Sequence, residues 1–146
     1  MSAASWTAII RSIGTWAGRG VGLVIAWRGV AHALEPALFA QRMDAYGVVD
    51  PAWVAFLSRW VAWTMVGSGA LAGLGWGAWQ RAGSWAVVGI LALFLAAMAV
   101  AWALGHAETC GCFDDGAGMA WGMLRTALLF GMVVLALRLA RPVAHA

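Results

Sequence analysis

The amino-acid sequence predicts an all-α integral membrane protein, a bundle of four transmembrane helices with both termini on the cytoplasmic side. Three observations carry that prediction. Of the 146 residues, 64% are hydrophobic and 10% are charged, where a soluble domain carries roughly 25% charged residues. A core this small cannot hide so much apolar surface, so lipid must cover the rest. Four apolar stretches reach the length of about 20 residues that a bilayer requires. Finally, acidic and basic residues fall in different connections, as they do in oriented membrane proteins.

The first stretch runs from about Trp16 to Leu34, the second from about Trp53 to Trp79, the third from Trp85 to Leu104 and the fourth from about Met119 to Leu139. Within lipid the backbone must satisfy its own hydrogen bonds, so each is read as a helix. The third carries no charge at all. Residues 1–146 are read as a single four-helix membrane domain, with outward connections at about 35–52 and 105–118. The first of these, with the run EPALFAQRMDAYG, is too long for a tight turn. It is expected to form a short interfacial helix ending near Gly47. The connection around Gln80 to Gly83 is short, which makes helices two and three antiparallel neighbours.

Orientation follows from the charges. Arg11, Arg19, Arg81, Arg138 and Arg141 lie at the N-terminus, the second connection and the C-terminus. All six acids (Glu35, Asp44, Asp50, Glu108, Asp114 and Asp115) lie in the first and third connections. The arginine-rich side is cytoplasmic, which turns both acidic connections outward. The net charge of +3 comes from arginines scattered singly through apolar sequence, a pattern for orienting helices in a bilayer and not for binding nucleic acid. Arg11 and Arg19 interrupt any signal-peptide core, so the N-terminal segment is expected to be retained. Trp53, Trp102 and Trp121 are expected at the outer interface, and Trp16, Trp76, Trp79 and Trp85 at the inner one.

Gly14, Gly18 and Gly22 recur every four residues, as do Gly69, Gly73 and Gly77. Such rows let helix backbones approach closely. Packing within the chain is the first reading; a homodimer face is the second.

The chemistry concentrates in His106–Gly116, which holds both cysteines and half the acids. Cys110 and Cys112 are separated by Gly111 alone. A disulfide between them needs a sharp bend, which glycine permits. So small a loop removes little chain entropy and makes a poor staple; strain and exposure would make the bond easily reduced. An exposed dithiol/disulfide pair suits exchange chemistry, and two inert loop cysteines are the bland alternative. His106, Cys110 and Cys112 also offer three soft ligands for copper or mercury, although their spacing matches no strong zinc pattern. His106 is equally read as an ordinary loop residue, and His32, near the outer end of helix one, as a proton carrier or an interfacial residue. Arg28, Arg59 and Arg125 each fall about six residues inside the outer end of a helix, roughly 9 Å deep. Together they read as a positive pocket for a thiolate, a quinone oxygen or an anion; snorkelling or pairing with Glu35, Asp50 or Asp114 is the plain reading. No Ser–His–acid set, P-loop or phosphate cradle is present.

The run CGCFDDG, followed by GMLRTALLF, resembles the MauE family of methylamine-utilisation membrane proteins within the DoxX-like group. The opening GRGVGLVIAWRGVAHALEPALFAQRMDAYGVVDP is similar as well, and the likeness spans roughly Gly18 to Leu137. The sequence departs from the family pattern at His32 (usually lysine), near Met65 (often glutamate), at Asp114 (usually glycine) and at Thr126 (usually asparagine). The resemblance implies a bacterial inner-membrane protein whose Cys110 and Cys112, on the periplasmic side, exchange disulfides with a thioredoxin-like partner during maturation of an extracytoplasmic protein. Analogy with other four-helix disulfide-generating proteins adds a quinone near Arg28, Arg59 and Arg125. The rival readings are a soft-metal binding or transport protein and a non-catalytic subunit of a larger membrane complex.

Overall fold

The computed structural model describes residues 3–105 and 119–139, and the chain there is α-helical with no strand among the described residues. Its elements are α1 (Ala3–Leu34), α2 (Pro36–Asp44), α3 (Pro51–Leu74), α4 (Gly77–Ala103) and α5 (Met119–Leu139). The four long helices form a ring in which α1 and α4 each pack against both α3 and α5. α1 also touches α4 across the middle, whereas α3 and α5 do not meet, and α2 lies against α3 and α1.

Each long helix buries a stripe stepping alternately by three and four residues. On α4 it is Val87, Leu91, Phe94, Met98 and Ala101. On α1 it runs through Gly18, Val21, Ile25 and His32, and on α5 through Gly122, Thr126, Val133 and Ala136. This is the spacing of helices packed at shallow angles, with side chains of one seated between those of the next. The opposite faces are no less apolar: Leu93, Val100, Leu128 and Leu135 are exposed, as befits surfaces that meet lipid.

Glycines set the tightest crossing. A methyl group on Gly22 would lie 2.8 Å from Ala72 Cβ and from the Gly73 nitrogen, and one on Gly29 would lie 2.7 Å from the Val66 nitrogen. These pairings run in opposite senses along the two chains, so α1 and α3 are antiparallel with their backbones in contact. Gly14 and Gly18 face Leu139 and Ala136 of α5. Five of the six glycines in the two rows therefore serve packing within the chain, the first of the two readings, whereas Gly77 meets nothing within 4 Å.

Three boundaries differ from the expectation. α1 begins at Ala3 rather than Trp16. The second helix ends at Leu74 rather than Trp79, and the third begins at Gly77 rather than Trp85. The turn expected at Gln80–Gly83 is instead Gly75–Trp76. Gly75 is extended, with its N–H donating to the Leu71 carbonyl at 3.0 Å, and Gly77 takes φ +57°, open to glycine without strain. Hydropathy hides this break because Leu74 and Trp76 are apolar, and Arg81 drew the expected boundary inward. Gly83, placed by expectation in a turn, lies in the closest α3–α4 contact: a Cβ there would be 2.5 Å from the Ala72 nitrogen.

The short helix expected between the first two spans is α2, with Pro36 at its start. The chain bends by 100° between α1 and α2, and Gly47, at φ +62°, follows α2's last turn. Asp50 then accepts a hydrogen bond from the Ala52 N–H at 2.9 Å and starts α3, with Pro51 in its first turn.

By length and composition α4 and residues Ala120–Leu139 can each cross a membrane; Ala8–Leu34 joins them if counted with the bent α2. α3 is 24 residues long, enough to cross, but its tryptophans, glycines, Ser58, Thr64 and Arg59 dilute its apolar character.

Candidate functional site

Two ends of the ring can be told apart. A cavity of about 560 Å³ is lined by Gly14 and Thr15 of α1, Gly77 and Arg81 of α4, and Ala136 of α5. The first half of α1, the start of α4 and the end of α5 thus share one end. The antiparallel packing then sets the end of α1, the start of α3, the last turn of α4 and the first turn of α5 at the other, beside α2. The described chain leaves α4 at Gly105 and resumes at Met119, both at this α2 end. Gly105 adopts φ +82°, its N–H donating to the Trp102 carbonyl at 3.1 Å, a glycine termination of α4.

Charge separates the two ends. Every described acid (Glu35, Asp44 and Asp50) lies at the α2 end, together with Arg28, Arg42, Arg59 and Arg125. The opposite end carries Arg19, Arg81 and Arg138 and no acid among the described residues. Arg19 lies over the Trp16 ring, 5.5 Å from its centroid, a cation–π contact of the kind found where helices leave the bilayer.

At the α2 end His32 is buried, 7% exposed, and its ring stacks on Phe39 of α2 with centroids 4.1 Å apart and planes 13° from parallel. Phe39 is 1% exposed and Tyr46 6%. His32 is therefore a buried residue whose ring helps fasten α2 to α1. Neither Phe39 nor Tyr46 was marked by the sequence as part of the site; the signal for them is one aromatic within, and one just after, a short polar helix next to a histidine.

The three arginines separate. Extending the glycine contacts along the helices places Arg125 level with Arg28, while Arg59 lies about seven residues, on the order of 10 Å, farther toward the α2 end. The expectation of one common level assumed that α1 and α3 end together. Instead the first turns of α3 run past the end of α1 and pack on α2. Arg28 is half-buried, whereas Arg59 and Arg125 are exposed. Next to Arg125, Thr126 is fully buried and its hydroxyl donates to the Gly122 carbonyl at 2.8 Å.

His106, Cys110 and Cys112, and with them the alternative soft-metal set, lie outside the described residues. Among the described residues no three His, Cys, Asp or Glu side chains cluster as metal ligands would.

The sequence family described as methylamine utilisation protein MauE matches residues 10–139, a span that includes all of α2–α5 and both cysteines. The chain belongs to the MauE family. No curated protein and no solved structure matches it. Family membership makes it a membrane protein of methylamine utilisation, in keeping with its apolar helices. His32, Met65 and Thr126, three positions at which the resemblance implied a departure from the family pattern, are all buried. Met65 packs against α1 at Gly29.

Proposed function

We propose that this chain is a four-span inner-membrane thiol–disulfide exchange protein. α1, α3, α4 and α5 cross the bilayer, both termini are cytoplasmic, and Cys110 and Cys112 face the periplasm. The observation that carries this reading is the separation of charge between the two ends of the bundle. The segment with both cysteines is joined at its two ends to the α2 end, whose connections carry Arg42 alone, whereas Arg11, Arg19, Arg81, Arg138 and Arg141 fall at the termini and the start of α4, the arginine bias of a cytoplasmic face. Membership of the MauE family supports the membrane assignment, and α3, with 24 residues, has the length to span.

Exchange needs nothing beyond the two sulfurs and a partner with a dithiol or disulfide. A thiolate attacks a sulfur of the opposing disulfide, one S–S bond breaks as another forms, and a mixed disulfide joins the two proteins. The second thiolate of the attacking pair displaces the partner. Two electrons pass from the dithiol that closes to the disulfide that opens, and two protons leave with them. Arg28 and Arg125 stand level at the end that carries this segment, where their charge favours a thiolate, while Glu108, Asp114 and Asp115 beside the cysteines in the sequence oppose it. The partner is a periplasmic thioredoxin-like protein, and the product is a matured extracytoplasmic protein.

Trapping tests this. Cys110→Ser and Cys112→Ser variants each leave one sulfur, and the variant that keeps the attacking cysteine should accumulate a partner adduct seen on non-reducing gels and lost on reduction. No adduct with either variant, together with full activity in the double variant, overturns the proposal.

A further inference from the structure

Arg59 is exposed and lines a depression of about 480 Å³ with Phe56, Trp60 and Trp63. It makes no hydrogen bond or ion pair among the described residues. Trp60 and Trp63 also open a second groove, about 650 Å³, that continues between α3 and α4 past Gly67, Leu71 and Ala86. The two depressions share these rings and form one track, cationic at its α2 end and apolar beyond.

The aromatics are ordered. Trp53 meets Phe56 edge to face at 6.2 Å between centroids, and Phe56 meets Trp60 at 6.0 Å. From Trp53 to Trp63 is ten residues of helix, about 15 Å. An interfacial belt occupies only the headgroup layer, roughly 5–8 Å on each side of the hydrocarbon. The ladder is therefore longer than a belt is deep, and its rings, 53–66% exposed, offer a flat apolar wall to whatever lies against α3.

We propose that this face of α3 binds an anionic phospholipid, with the phosphate on the Arg59 guanidinium and an acyl chain along the Trp60–Trp63 groove. The charge selects the ligand. A full positive charge with no carboxylate partner among the described residues suits an anion, and a guanidinium offers a phosphate two parallel N–H donors. The small residues below the tryptophans, Gly67 and Ala86, leave room for a chain. The inference uses α3's place in the bilayer from the four-span reading and is independent of the cysteine chemistry.

The test is native mass spectrometry of the full chain in mild detergent. It is offered phosphatidylglycerol or phosphatidylcholine with identical acyl chains. Wild type should retain phosphatidylglycerol preferentially. Arg59→Gln should weaken that retention about tenfold, equivalent to about 1.4 kcal/mol, while Arg59→Lys keeps the preference and Arg138→Gln, at the other end, changes nothing. Trp63→Ala should lower retention of both lipids. Equal retention of the two lipids by wild type overturns the proposal even if Arg59→Gln fails to fold. So does unchanged phosphatidylglycerol retention by Arg59→Gln, or Arg59-dependent retention of an isoprenoid quinone in place of the phospholipid. Loss of partner adducts in the cysteine variants would leave all these readings in force.

Discussion

Adding one methyl group at Gly69 should do far more damage than adding one at Gly67, two residues away on the same helix. An alanine Cβ at Gly69 would stand 2.5 Å from the Ala26 nitrogen, 2.6 Å from the Gly22 carbonyl oxygen and 2.9 Å from the Ala26 Cα. All three are backbone atoms of α1, so no side-chain rotation relieves the clash. Reaching the 3.4 Å of ordinary contact requires α1 and α3 to part by nearly 1 Å along their tightest seam. Overpacking of this kind costs about 1–3 kcal/mol, against a gain of about 0.5–1 kcal/mol for alanine over glycine in a helix. A Cβ at Gly67 meets nothing within 4 Å, so Gly67→Ala keeps the gain alone. The helix gain is common to both variants, so they should differ by the overpacking cost alone, about 1–3 kcal/mol, or about 2–12 °C in melting midpoint for a chain of this size. Thermal unfolding in mild detergent, followed by circular dichroism, reads the difference directly. Equal midpoints, or Gly69→Ala melting above Gly67→Ala, would refute the idea that α1 and α3 meet backbone to backbone.

Three further outcomes follow from the same geometry. Phe39→Ala removes the ring on which His32 stacks and should cost about 3–5 kcal/mol; hydrogen exchange should quicken across residues 36–44 while the middle of α4 is unchanged, and uniform quickening would contradict a locally fastened α2. Gly77→Val should destabilise by about 1–2 kcal/mol because φ is positive there, whereas Gly77→Asn is tolerated; matching melting curves for the two would show that the α3–α4 turn is built differently. Asp50→Ala removes the cap on α3 and should cost about 1 kcal/mol, seen as faster exchange at Ala52 and its neighbours.

The all-helical, apolar character of the fold was legible from composition, because so many apolar residues and so few charges leave little else for a bilayer protein to do. The short helix α2 was legible too, from Pro36, its polar residues and Gly47. Helix ends were less so. The turn after Leu74 contains Gly75, Trp76 and Gly77 and no charge, so hydropathy passes straight through it, and only the glycine spacing marks it. The buried faces could not be read from amphipathicity, since lipid accepts the same residues as the core; Leu91 is buried and Leu93 exposed on one helix. The relative heights of Arg28, Arg59 and Arg125 were beyond sequence reasoning because they depend on how far α3 slides past α1. That offset is set by which glycines meet which backbone atoms. The proposed chemistry rests on Cys110 and Cys112, whose short spacing around Gly111 is plain in the sequence.

The most direct test asks which side of the membrane the two sulfurs occupy and whether they join. Intact spheroplasts are treated with a membrane-impermeant thiol reagent, with and without prior reduction. The account predicts that Cys110 and Cys112 are labelled from outside and that labelling rises after reduction. Labelling only after the membrane is opened, or labelling indifferent to reductant, would contradict it.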